Sequence, residues 1–114
     1  MIITEEVIRY LSDRIDVGVY AEKPQTDEAR YIIVEKTGGS RQNMLQHDTV
    51  AIQSYAQSML EANRLNEEVK EAMDEMKQMK KISASRYQTD YNFTDISTKE
   101  YRYQCIYEIT HVVS

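Results

Sequence analysis

Apolar residues recur every four positions at the start of the chain, at Ile3, Val7, Leu11 and Ile15 with Ile8 beside them. That period predicts a short amphipathic helix over residues 4–15 that buries one stripe. Thr4 is the expected N-cap, and Glu5 and Glu6 suit the positive end of the helix dipole. Asp16, Gly18 and the Lys23-Pro24-Gln25-Thr26-Asp27 cluster carry turn chemistry. They leave Val17–Glu22 as a short strand with Val17, Val19 and Ala21 on one side.

The period then falls to two. Arg30–Lys36 has β-branched residues at its centre and no turn former, with Ile32 and Val34 on one face and Tyr31, Ile33 and Glu35 on the other. A run apolar on both faces at its middle belongs inside a sheet. His47–Tyr55 resumes the alternation, with Val50 and Ile52 opposite Thr49, Ala51, Gln53 and Tyr55. Between them, Thr37–Gln46 is expected as a loop, opened by Gly38 and Gly39, which permit backbone angles closed to other residues. A loop of that length in a small domain is usually functional or mobile.

The period returns to helical after Tyr55. Ser58 and Glu61 have the spacing of a capping box, and Leu65, Val69, Ala72, Met76 and Met79 follow at alternating four and three spacings, with Ala62 and Met73 on the same side. A helix over Met59–Lys80 is about 30 Å long and can cross a whole sheet. Its acidic residues lie early (Glu61, Glu67, Glu68, Glu71) and its lysines late (Lys77, Lys80, Lys81), matching the dipole. Methionines 73, 76 and 79 complete the apolar stripe, so with Met59 they are assigned to core rather than to an adaptable binding face. Ile82–Tyr91 alternates weakly, Asn92–Thr98 is a turn region, and a long last strand sets Tyr101, Tyr103, Cys105, Tyr107 and Ile109 against Arg102, Gln104, Ile106, Glu108 and Thr110.

The predicted order is α-β-β-β-α-β-β. Strands joined by short turns imply a mainly antiparallel sheet of four to five strands, and two one-striped helices bury most simply on one of its faces. The expected fold class is therefore α+β, a two-layer sandwich, with residues 1–114 as a single domain.

Composition narrows the function. With 41% hydrophobic and 29% charged residues, and no long apolar run, the chain has the balance of a soluble globular protein. The first residues turn acidic where an export signal needs a basic and then an apolar segment. Cys105 is the only cysteine, so no internal disulfide forms, and its place in an alternating strand marks it as a small buried hydrophobe. A net charge of −5 opposes general nucleic-acid binding, which rests on Lys and Arg neutralising phosphates.

No constellation of residues calls for catalysis, a metal or a cofactor. His47 and Asp48 are adjacent in a strand and point to opposite faces, badly placed to share a proton. His111 has no second ligand near it in sequence and is expected as a surface or strand-end histidine. Thr37-Gly38-Gly39-Ser40-Arg41 could be imagined as a phosphate cradle, but no helix starts after it and the P-loop spacing is absent. It is expected to be a turn or contact loop. Tyrosines 87, 91, 101, 103 and 107 supply amphipathic surface of the kind enriched at interfaces, or simply pack one sheet face.

Several of these segments together resemble one family. The N-terminal helix, Tyr31-Ile32-Ile33-Val34-Glu35-Lys36-Thr37-Gly38-Gly39, Asp48-Thr49-Val50-Ala51-Ile52-Gln53-Ser54-Tyr55-Ala56, the Ala-bearing helix, Tyr91-Asn92-Phe93-Thr94-Asp95 and Arg102-Tyr103-Gln104-Cys105-Ile106-Tyr107-Glu108-Ile109 resemble the tail terminator (tail completion, head–tail joining) proteins of long-tailed phages and prophages. The resemblance spans nearly the whole chain, and its most specific part is the aromatic-aliphatic strand ending in Thr-Gly-Gly together with the Arg-Tyr strand. The long acidic second helix and the polar Ser40–Gln46 segment depart from it.

The resemblance implies a non-enzymatic structural protein. It would form a homo-oligomeric ring, a hexamer, on the head-proximal end of the tail tube, ending tube polymerisation and joining tail to head. Its partners would be further copies of itself, the major tail tube protein and the head–tail connector protein. DNA would pass through the ring without sequence-specific binding, and no membrane is involved. Its place would be the virion tail, assembled in the host bacterial cytoplasm. Assembly residues would be Thr37, Gly38, Gly39, Ser40, Arg41, Arg102 and Tyr103. Two other functions stay open: a head-side connector or stopper protein, and a small ligand-binding regulatory α+β domain.

Overall fold

In both helices the apolar stripe decides where the element begins and which way it faces. The computed structural model describes residues 1–113. Helix α1 spans Ile3–Arg14 and buries Ile3, Val7, Tyr10 and Leu11. Its N-cap is Ile2, which provides no side-chain cap, so Thr4 does not cap the helix as its type predicts. Burial of Ile3, only 2% exposed, draws the first turn back past Thr4 and outweighs a capping bond of about 1 kcal/mol.

Helix α2 spans Met59–Glu75. Ser58 Oγ accepts the Glu61 N–H at 3.2 Å, which is half of the expected capping box. Ala62, Leu65, Val69, Ala72 and Met73 face inward as the stripe predicts. The helix stops at Glu75 rather than Lys80, and a 3-10 turn over Met76–Gln78 carries Met76 into the core. The lysines at 77, 80 and 81 therefore lie beyond α2 and do not complement its C-terminus. Met59 is largely exposed, unlike the other three methionines of this stretch.

The sheet contains β1 (Gly18–Tyr20), β2 (Tyr31–Gln42), β3 (Leu45–Ala56), β4 (Ala84–Asn92) and β5 (Tyr101–Val112), in the order β1-β2-β3-β5-β4. The expected α+β sandwich is the fold observed, with both helices on one face. Three of the four pairings are antiparallel. The exception is β1, shorter than the expected Val17–Glu22, which runs parallel to β2. Residues 21–30 carry the chain back along the sheet, so β2 starts beside β1 in the same direction.

The largest correction concerns residues 37–46, expected as a long loop. They are strand. Strands β2 and β3 pair from Tyr31↔Tyr55 to Gln42↔Leu45 and turn through Asn43 and Met44 alone. Both turn residues have positive φ, 51° and 67°, as a tight two-residue hairpin demands. Gly38 and Gly39 take no positive φ, so the conformational freedom expected of them is not used; the register shifts between Lys36 and Gly38, placing a bulge at Thr37. The long ladder holds because β5 pairs with β3 along its whole length, from Ala56↔Tyr101 to Leu45↔Val112.

The core lies between the helices and the face carrying Ile32, Val34, Val50, Ile52, Cys105, Tyr107 and Ile109. Each large side chain buried there contributes about 1.5–3 kcal/mol. Tyr107 belongs to this helix-covered face rather than to an open tyrosine face, and its hydroxyl lies 3.0 Å from Lys70 O and 2.6 Å from Asp74 Oδ1. Polar latches fix the layers. Tyr10 donates to Ala72 O at 2.6 Å, tying α1 to α2. Asp90 Oδ2 accepts from Asn66 Nδ2 at 2.8 Å and Lys70 Nζ at 3.0 Å, tying α2 to edge strand β4. Asn66 is fully buried, a polar position hidden within a helix that otherwise looks simply amphipathic.

Candidate functional site

Polar chemistry concentrates where the β2–β3 hairpin, the end of β5 and the start of α1 meet. Asp48 projects from β3 on the helix-covered face and is 2% exposed. The register sets Gln46 opposite His111 across the β3–β5 ladder and Gly39 opposite Asp48 across the β2–β3 ladder. His111 Nε2 donates to Asp48 Oδ2 at 2.8 Å, since a carboxylate can only accept. Gln46 Nε2 donates to Asp48 Oδ1 at 2.8 Å, and Lys36 Nζ lies 3.2 Å from the same oxygen. Arg41 Nε donates to Gln46 Oε1 at 2.7 Å, extending the chain of bonds to the surface.

His111 is thus at the end of a strand, as one of the two expected placements has it, but buried at 5% exposure rather than on the surface. A histidine three residues from the end looks peripheral, but β5 continues to Val112 and carries the imidazole onto Asp48. Burial alone would raise the Asp48 carboxyl above its ordinary range. Donation from His111, Gln46 and Lys36 outweighs it and holds the group below that range. His47 points to the opposite face, where Nδ1 contacts Thr110 Oγ1 at 2.9 Å, so His47 and Asp48 form no acid–base pair.

Gly39 matters here for space rather than for backbone freedom. A Cβ on it would lie 2.9 Å from Gln46 Nε2, 3.1 Å from Asp48 Oδ1 and 3.2 Å from Lys36 Cε. A Cβ on Gly38 would meet nothing within 4 Å. Beside this cluster is a cavity of about 220 Å3 lined by residues that include Ile2, Ile3, Lys36, Arg41, Asp48 and His111.

The second set of expected site residues lies at the other end of β5, so the structure does not bring the two sets together. Arg102, on the helix-free face, donates from Nη1 to Tyr55 OH at 2.8 Å and from Nε to Phe93 O at 2.7 Å, with its guanidinium 4.5 Å from the Phe93 ring centre. Tyr55 stacks on Tyr31 with centroids 4.6 Å apart. Gln53, Gln104 and Tyr91 continue the hydrogen-bonded row across the sheet. Tyr103 points to the opposite face from Arg102, in register with Ser54. Thr37 and Ser40 are exposed on β2, and Thr37 Oγ1 reaches Thr49 O at 3.4 Å.

Sequence reasoning missed Asp48–His111 as a unit, along with Lys36 and Gln46. The available signal was an acidic residue amid the inward apolar positions Val50 and Ile52, which demands a buried partner. Among the described residues no group of three or more His, Cys, Asp or Glu is placed to hold a metal ion. No protein-family model matches the chain, and no curated protein matches it significantly.

Proposed function

We propose that this chain is a tail-terminator-type assembly protein: a subunit of a homo-oligomeric ring, a hexamer, that caps the head-proximal end of a phage tail tube and joins it to the head connector. The observation that carries the reading is the presence of two separate exposed apolar clusters at opposite ends of the molecule, whose longest dimension is 44 Å. Met1, Ile2, Met44 and Val112 are exposed beside the hairpin turn, and Met59, Leu60, Phe93 and Ile96 beside the start of β5. A closed ring needs each subunit to offer two different, complementary surfaces, and exposed apolar groups of this kind mark such contacts. The resemblance of the Thr37-Gly38-Gly39 and Arg102-Tyr103 strands supplies the particular family, and the α-β-β-β-α-β-β order agrees with it.

In this reading Thr37–Arg41 belong to one contact surface, while Arg102 stiffens the other by clamping Tyr55 and the Phe93 backbone. A net charge of −5 is compatible with DNA passing a ring lumen without being gripped. Electron microscopy of the purified protein, alone and with a tail tube protein, tests the proposal. Rings, or caps on tube ends, are the expected result. Monomers that neither close into rings nor bind tube ends at high concentration would refute it.

A further inference from the structure

Among the described residues, both long edges of the sheet lack a further strand. On one side β1 pairs only with Tyr31, Ile32 and Ile33, so the outer side of β2 is open from Glu35 to Gln42. On the other side β4 pairs with β5 alone, and its outer side is open over Ala84–Asn92. An open edge offers a row of unpaired N–H and C=O groups to another chain, and neither of these stretches contains a proline to block it.

Gly38 gives a second, independent sign of a partner. It lies in mid-strand, takes no positive φ, and a Cβ on it would meet nothing within 4 Å. The molecule itself therefore supplies no reason for the entropic cost of a glycine there, and a strand glycine marks a place where another backbone comes close.

The two edges also match each other. Each of the pairs β2–β3, β3–β5 and β5–β4 reverses direction, so β4 runs opposite to β2. A copy set beside the first in the same orientation brings its β4 antiparallel to the open β2 edge. Each edge carries one bulge, at Thr37 between Lys36 and Gly38 and at Gln88 between Tyr87 and Thr89. A bulge on one edge alone puts a docking strand out of step and turns its side chains to the wrong face. Eight residues against eight, Glu35–Gln42 facing Tyr91–Ala84, sets the two extra residues side by side and leaves none over. In that register Lys36 faces Asp90 on the helix-covered side, and Ser40 faces Arg86 on the other. Tyr87 lies over Gly39, and no like charges stand opposite each other.

We propose that a second copy of this chain docks edge to edge, its β4 adding to the open β2 edge in this register, so that one sheet runs from subunit to subunit. Two different edges of one molecule make a heterologous contact, which repeats from copy to copy. The pairing deepens the ring reading by naming its subunit contact, and rests on that reading only for closure of the ring.

The test is disulfide trapping in the full chain carrying Ser40→Cys with Arg86→Cys. Directly opposed residues place their Cα atoms about 4.5–5.5 Å apart, within disulfide reach. Inside one molecule β2 and β4 are three strand spacings apart, about 14 Å, so only a bond between copies forms. Glu35→Cys with Arg86→Cys is the out-of-register control. All three positions are exposed, and unchanged far-UV circular dichroism checks the fold of both variants. Mild oxidation should give a ladder of covalent multimers at least tenfold stronger in the first variant than in the control. No ladder, or equal ladders in both, would overturn the pairing. Electron microscopy of the trapped material separates this from the ring reading. Open chains held by in-register bonds uphold the pairing and refute the ring, whereas rings of unaltered protein without an in-register ladder refute the pairing alone.

Discussion

Replacing Asp48 by alanine removes the acceptor on which the hairpin end converges. Two hydrogen bonds of 2.8 Å, from His111 and Gln46, and the Lys36 contact at 3.2 Å are lost together. Lys36 is half-exposed and recovers by hydration, and Gln46 keeps Arg41. The decisive loss is at His111, whose Nε2–H is left buried without an acceptor on a ring whose other nitrogen, Nδ1, has no partner among the described residues. Breaking one side of a buried pair costs about 3–5 kcal/mol, and the partial exposure of Lys36 places the expected loss at the lower end, about 3 kcal/mol. In a domain of this size that lowers Tm by about 15 °C.

The pH dependence follows from the direction of the Asp48 shift. Its folded pKa lies below the unfolded value, so the stabilisation is present above the ordinary aspartate range, near pH 4, and is lost as pH falls through the folded pKa. Urea unfolding followed by far-UV circular dichroism at neutral pH, and again below pH 4, measures both quantities. The gap between wild type and Asp48→Ala should narrow in acid. A loss under about 1 kcal/mol at neutral pH, or a gap that widens in acid, would refute the reasoning.

Three further outcomes follow from single features. Met44 is 69% exposed and sits at φ 67°, so Met44→Gly should stabilise the protein by about 1 kcal/mol in the same urea assay, relieving left-handed strain without removing packing. Ser58→Ala removes the side-chain acceptor of the Glu61 N–H and should cost about 1 kcal/mol, read as a lower urea midpoint with unchanged slope. Cys105 is fully buried, and burial pushes its thiol well above the ordinary range. Thiol-reactive dyes should therefore label the folded protein only at the rate of global opening, and immediately in denaturant.

Much of the architecture was legible in the chain because each helix and strand announces itself through a local period. Ile3, Val7 and Leu11 on one helix, Leu65, Val69 and Ala72 on the other, and Val50 and Ile52 on a strand all bury as their spacing requires. The candidate site was mostly illegible. The hairpin turn was hidden because Asn43 is followed by Met44, where the recognisable pair is Asn-Gly, while the glycines lie several residues earlier in plain strand. Gly39 looks like a turn glycine and is instead the space that admits Gln46, Asp48 and Lys36.

The sequence by itself determined where the two helices and the apolar centres of the strands lie, and which stripe of each is buried, but not that residues 37–46 extend, because propensity and period act over a few residues. Only tertiary structure decided that β1 pairs in parallel, that β5 extends the hairpin to its turn, and that His111 is buried against Asp48 across a separation of 63 residues. Those outcomes depend on how strands distant in sequence share hydrogen-bond partners and exclude water, and no local pattern encodes that.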